Sequence, residues 1–420
     1  MDRRKFLAIG VATGAAWAFE RDATAAAPAE WTEWRGPKRD AVSAETGLQK
    51  EWKTGGPTML WKASGLGGGY STPSFSQGML FGMGYRGEDE VVWARDVETG
   101  AQKWVTPAIA TANRGVGYAE GSRSTPTVVG DRLYSLGVSG DLVCLDTQTG
   151  RLHWRKNLIT DFGGRLPNWG FTESPLVDGD KVLVTPGGRG SLIVALNRMT
   201  GETIWQSNVP GNDQASYSSI VIGTLAGRRQ YVQFVTGGVV GIGMGGEFLW
   251  RHNRPQNGIQ ITTPVLHNDH VFVTTAYDKG GALVKVTADG GAISAQEVYF
   301  SQEMQNHHGG VIRIGENIYY AEGHRGSTSL VCREFLTGKL VWRSEERLKG
   351  SLFFAEGNFY FRNERGEAML FEANPAAFVV KGRFDPPDRS GKNAWAHPVV
   401  VGGRLYLRDQ DWLHCYDVRA

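Results

Sequence analysis

Ala94-Arg95-Asp96-Val97-Glu98-Thr99-Gly100, followed by Trp104, returns as Cys144-Leu145-Asp146, Thr149-Gly150, Trp154 and again as Ala195-Leu196-Asn197, Thr200-Gly201, Trp205. A fourth copy runs Cys332, Glu334, Thr337-Gly338, Trp342. The common pattern is A-x-D-x-x-T-G-x-x-x-W. It describes a hairpin: the acid and the threonine bond turn amides, the glycine takes positive φ, and the tryptophan lies on the next strand, where it packs between sheets. Upstream of each copy stands a proline and then a Gly-bearing turn, as in Ser124-Thr125-Pro126 to Gly130-Asp131 and Glu173-Ser174-Pro175 to Gly179-Asp180. Each unit therefore holds about four strands.

Tryptophans fall at 104, 154, 205, 250 and 342, so the spacing is that of a propeller blade, with one unit lacking its Trp. First strands are expected near Pro73, Pro126, Pro175, Ser219, Pro264, Gly310, Leu352 and Pro398, which makes eight units. The last stops at Cys415-Tyr416-Asp417 without a Trp strand, and Thr58-Met59-Leu60-Trp61-Lys62 supplies a spare one ahead of the first unit. The expected fold is all-β: an eight-bladed propeller of four-stranded antiparallel blades over residues 58–420, closed by the N- and C-terminal segments so that no sheet edge is left open.

Composition agrees with a turn-rich β protein. The chain has 420 residues, 57 of them glycine, with 14 Trp, 18 Phe and 13 Tyr, and its 41% hydrophobic content is ample for a core. Forty-five Lys and Arg against 43 Asp and Glu, with no basic run past the first residues, leave no nucleic-acid footprint. Three cysteines cannot form a disulfide framework. Residues 1–25 read as a twin-arginine signal peptide: Arg3-Arg4-Lys5-Phe6-Leu7, a short Ala/Gly-rich apolar stretch to Phe19, and cleavage near Ala25. The expected location is periplasmic or secreted, and residues 26–57 form an N-terminal extension.

The four repeat copies resemble the pyrroloquinoline-quinone-like propeller repeat of quinoprotein alcohol dehydrogenases and of the propeller lipoprotein of the outer-membrane β-barrel assembly machinery. Trp34-Arg35-Gly36-Pro37 and Asn306-His307-His308-Gly309-Gly310 further resemble uncharacterised exported members of that superfamily. For a dehydrogenase the resemblance implies a vicinal cysteine pair against the quinone and a calcium held by Glu, Asn and Asp. No two cysteines are adjacent here: Cys144, Cys332 and Cys415 take the repeat position of Ala94 and Ala195 and read as small core residues. The lipoprotein is anchored by a cysteine just after its signal, whereas the first cysteine here is Cys144, so no membrane anchor is expected.

Function is expected where loops enter the innermost strands. Two residues before the aligned position lie Ser71, Ser124, Glu173, Tyr217, Thr262, His308, Gly350 and Ala396. One residue earlier lie Tyr70, Arg123, Thr172, Ser216, Ile261, His307, Lys349 and Trp395. From these rows and their neighbours the candidate ligand site is His307, His308, Glu173, Arg123, Tyr217, Trp169, Trp395 and His397, with His308 as base and Glu173 as its charge partner if the site is catalytic. No metal set is visible. His267 and His270 occupy a hairpin turn facing away from the rim; Glu322-Gly323-His324-Arg325 is a loop on the rim side; Thr185 to Gly190 reads as a turn. The leading function is a periplasmic binding or scaffolding module for an envelope protein, glycan or small molecule. Two alternatives stay open: an enzyme using rim His and Glu on a small molecule or sugar, and a quinone-dependent oxidoreductase.

Overall fold

The structure, a computed structural model, describes residues 30–254, 259–324, 326 and 328–420. The expected signal peptide and its cleavage site lie outside the described residues, as does Arg325. Eight sheets stand around one axis, and the described residues contain no helix. Their innermost strands are Ser74–Ser76, Thr127–Val129, Leu176–Asp178, Val221–Leu225, Val265–His267, Ile312–Ile314, Gly350–Ala355 and Val399–Val401, for blades 1 to 8. The last blade is completed by Thr58–Ala63, antiparallel to Trp412–Asp417 with Trp61 opposite Cys415, so the expected closure is the one observed.

The repeat pattern works as its chemistry requires. Asp146 Oδ1 accepts the amides of Gln148 (3.1 Å) and Thr149 (2.8 Å) and the Thr149 hydroxyl (2.7 Å), and Gly150 turns the chain at φ 71°. A side chain on Gly150 would collide with the Trp104 ring of the preceding blade, whose Nε1 donates to the Thr147 carbonyl at 2.9 Å. Trp154 bonds Arg198, and Trp342 bonds Asn374, in the same manner. Blade 5, whose outer strand carries no Trp, uses Tyr299, whose hydroxyl donates to the Phe335 carbonyl at 2.8 Å while its ring lies against Gly338. Opposite each of these tryptophans on the middle strand stands a small residue. Cys144 faces Trp154, Cys332 faces Trp342 and Ala94 faces Trp104. Burial pushes the Cys144 and Cys415 thiols up to about 12, leaving inert core residues.

Residues 31–43 of the N-terminal extension are built into the ring. The amide and carbonyl of Trp31 pair with Phe75, Val42–Ser43 adds a parallel strand beside Phe354 and Ala355, and Glu45 accepts the turn amides of Gly402 and Gly403. Both ends of this segment thus lie at the hairpin-turn end, and between them it reaches up the axis. At its tip Arg39 donates to the carbonyls of Ser174, Pro175 and Ile220 and to Glu33.

Candidate functional site

Above that tip the axis holds a cavity of about 140 Å³. Its wall is written in the short extended segments that lead into the innermost strands, where alternate residues point to opposite sides. Residues three before the strand-start proline face inward: Tyr70, Arg123, Thr172, Ile261 and Trp395 all line the cavity. So do residues one before it: Thr72, Ser174, Thr263 and His397.

Two of the three blades whose aligned residue is not proline, blades 4 and 6, are offset by one residue from that frame. In blade 4 the Ser174 amide donates to Ser219 Oγ (3.0 Å), as the Thr125 amide does to Ser174 Oγ (2.9 Å) and the His397 amide to Thr72 Oγ1 (2.9 Å). Ser219 therefore belongs to the row before the proline and Tyr217 to the inward row three before it. In blade 6 the inward pair is His308 and Gly310, and both line the cavity.

Seven of the eight candidate residues, His307, His308, Arg123, Tyr217, Trp169, Trp395 and His397, lie around this cavity. Glu173 does not. It sits in the outward-facing row, 2% exposed, where Thr185 donates to it from its amide (2.6 Å) and hydroxyl (2.9 Å) and Gln233 from its amide nitrogen (3.1 Å). Burial raises its carboxyl to about 7. The carboxylate beside His308 is Glu364, 3.7 Å from Nε2, which also accepts from Trp395 Nε1 (2.5 Å) and pairs with Lys349 (3.1 Å). Burial opposes the charge on Glu364, and its neighbours His308, Lys349 and Trp395 outweigh that, holding its carboxyl down at about 2. Glu322 is likewise turned away, in an ion pair with Arg333 (2.7 Å) and Arg343 (2.5 Å). Its neighbour His324 reaches the rim, with its ring 4.1 Å from Tyr277 and 5.3 Å from His307. His267 and His270 pair across their turn at the far end, and residues 185–190 form a turn carrying a Gly188–Ser191 bridge.

The aromatic wall closes on itself. Ring centroids step from Trp395 to Tyr118 (4.8 Å), Trp169 (6.0 Å), Tyr277 (5.9 Å), His307 (5.4 Å), His308 (4.4 Å) and back to Trp395 (4.5 Å). Tyr118 and Tyr277 hold this collar from loops, both in the left-handed region, at φ 55° and 61°. Burial first, then Arg35, depresses His397 to about 3; burial, then His308, Lys349 and His324, takes His307 far below the imidazole range; burial lowers His308 against the pull of Glu364. All three imidazoles are neutral at neutral pH. His397 Nε2 donates to the His308 carbonyl at 2.9 Å, which leaves its Nδ1 as an acceptor.

The floor is Trp34 and Arg35 of the axial segment. Trp34 Nε1 donates to Thr263 Oγ1 at 3.0 Å, and its ring meets His397 edge-on at 4.7 Å. Arg35 is 4% exposed and donates to the carbonyls of Arg39, Asp40 and Val311. Burial pushes its guanidinium down to about 10, still cationic at neutral pH.

The quinone and calcium implied by the repeat do not fit these residues. No cysteine and no carboxylate lines the cavity, and the three cysteines lie between sheets in blades 2, 6 and 8. Among the described residues there is no group of three or more His, Cys, Asp or Glu able to hold a metal ion.

The family model described as outer membrane protein assembly factor BamB matches residues 113–335. The outer membrane protein assembly factor BamB of Kangiella koreensis is 31% identical over 160 residues, 37% of this chain and 35% of that protein, so the match spans about a third of the relative's length. Among solved structures, BamB from Moraxella catarrhalis superposes with a TM-score of 0.60 at 14% identity, over 86% of this chain and 97% of that one. Quinohemoprotein alcohol dehydrogenase from Comamonas testosteroni gives 0.65 at 12% identity, over 93% and 81%. At such identities the two superpositions speak for the propeller alone. With more than half its length matched by the family model, the chain belongs to the family of the outer membrane protein assembly factor BamB.

Proposed function

We propose that the protein is an exported periplasmic binding propeller, working beside envelope proteins, that holds one small ring-bearing molecule in its axial cavity. The location rests on Arg3-Arg4 and the apolar stretch behind them, and the protein partner on the name borne by the family. The ligand site rests on one observation, the closed collar of aromatic rings around a cavity sized for a single ring. A cavity of about 150 Å³ accommodates benzene, and flat apolar rings stack on aromatic faces.

The test is ligand-observed NMR on the mature protein with single-ring probes, benzamide and glucose among them. Rings should receive saturation from the wild type and lose it in Trp395→Ala and Trp169→Ala, variants that open the collar. No transfer to any probe, or transfer unchanged in both variants, would refute the cavity as a site. The acid–base reading keeps one supporting observation, the Glu364 carboxylate that stands beside His308 without itself lining the cavity, since a base needs an orienting partner.

A further inference from the structure

Resting on the reading of the axial cavity as a ligand site, we infer that its floor is a carboxylate receptor, so that the ligand is a single-ring carboxylic acid. The row one residue before the innermost strands supplies the first observation. Thr72 Oγ1 accepts from the His397 amide, Ser174 Oγ from the Thr125 amide, Ser219 Oγ from the Ser174 amide, and Thr263 Oγ1 from the Trp34 indole. Each hydroxyl is fixed as an acceptor by an N–H, so its own proton is the half of it left to give, and all four residues line the cavity. Four hydroxyl donors on residues that line one ring describe a site for oxygen acceptors.

The second observation is Arg35. Its Nε and Nη2 are spent on backbone carbonyls, while Nη1, buried at the floor, has no hydrogen-bond partner. Gly310 is the blade 6 member of the same row, and a Cβ there would collide with Nη1, so glycine makes the room in which the guanidinium reaches the axis. A buried donor of a cation left without an acceptor is costly unless a ligand supplies one.

The third observation is the charge of the wall. Arg35 and Arg123 line it, Arg123 also with an unpartnered Nη1, and no carboxylate does. Nearby acids stay outside the lining: Glu364 pairs with Lys349 and Trp395, Glu120 with Lys392, and Asp40, whose charge acts on Arg35 from behind the floor, accepts the Val42 amide. The neutral imidazoles add no charge. One inward guanidinium nitrogen at the floor suits a monoanion; a phosphate dianion entering so apolar a wall would need more cation than the floor provides. The carboxylate sits on the floor and the ring rises into the collar, which stacks an aromatic acid or the apolar face of a uronic acid alike.

The experiment is titration of the mature protein, by calorimetry or tryptophan fluorescence, with benzoate against benzamide and glucuronate against glucose. At least one acid should bind about tenfold or more tighter than its neutral partner. The benzoate arm then assigns aromatic acids and the glucuronate arm uronic acids. Arg35→Gln should reduce that preference to about twofold or less, while Trp395→Ala weakens acid and neutral probe together. Since Arg35 also seats the axial segment, competition is measured in the wild type: acetate, the head group without a ring, should displace the bound acid, and acetamide at the same concentration should not. Neutral rings binding as tightly as the acids, or a preference that survives Arg35→Gln or resists acetate, would overturn the carboxylate receptor and leave the ring-binding cavity standing. Failure of every ring to bind would overturn both.

Discussion

Replacing Arg39 with methionine tests whether the axial segment is structural. The Arg39 guanidinium is 3% exposed on its side chain and ties the segment to Glu33 and to three backbone carbonyls of blades 3 and 4. Methionine keeps much of the apolar stem and removes every donor. Hydrogen bonds from a charged donor contribute about 1.5–3 kcal/mol each, but water reaches some of the freed carbonyls, so the net loss should match that of a broken buried pair, about 3–5 kcal/mol. Unfolding entropy of about 2.1 cal/mol/K per residue over the roughly 390 residues from 30 to 420 gives about 0.8 kcal/mol/K, so Tm should fall by about 4–6 °C. Calorimetry at fixed pH and ionic strength reads this directly. Arg39→Lys, which keeps the charge but loses the planar fork, should fall between the two. A Tm within a degree of the wild type for Arg39→Met would show that the segment is seated by something other than these bonds, and the energetic account of the plug would be wrong.

Removing residues 55–66 takes the outer strand from the last blade; the shortened mature protein should lose cooperative melting, and a Tm within a degree or two of the full chain would contradict closure by Thr58–Ala63. Glu90, raised to about 7 chiefly by burial although Ser122 and the Val138 amide bond it, holds its proton longer folded than unfolded, so its contribution to stability is full below about pH 4.5 and is lost as pH rises through 7. Between pH 6 and 8 that loss is about 1.4 kcal/mol. Glu90→Gln should therefore gain about that much relative to wild type over this interval in denaturant titrations; parallel pH profiles would refute the shift. The buried imidazoles work with the opposite sign, which is why the difference between the two proteins is the quantity to measure. Arg3→Lys with Arg4→Lys should hold the precursor in the cytoplasm, as fractionation would show, and unchanged export would count against the twin-arginine reading.

The ring was legible because its signals are local and repeated. Asp146, Thr149 and Gly150 act within one turn, and the spare strand around Trp61 could be matched to the blade ending at Asp417 by counting alone. The inward rows were legible wherever a proline marks the strand start. Ser219 and Gly310 stand where no such mark exists, and a slip of one residue in an extended chain exchanges the two faces. The same alternation explains Glu173, which was placed in the correct segment and on the wrong side of it. Tyr118, Tyr277 and Glu364 come from loops or other strands with no shared spacing, so nothing in the linear order ties them to His308. The hydroxyl row did leave a trace, in Thr72-Pro73, Thr125-Pro126, Ser174-Pro175 and Thr263-Pro264, whose recurrence is visible in the sequence. Trp34-Arg35 left none that periodicity could find, because the segment occurs once.

That segment also sets an order of events. Trp34, Arg35 and Arg39 find blade partners far downstream, at Ser174, Pro175, Ile220, Thr263 and Val311. During synthesis Trp31 can pair with Phe75 early, whereas Trp34, Arg35 and Arg39 wait for blades 3 to 6 before these partners exist. Because the segment enters and leaves by the same end, it forms no thread through the ring, and the blades can close first and receive it afterwards. The floor of the cavity cannot be finished before blade 6 is made, and a chain cut short before it lacks the floor however well its earlier blades have folded.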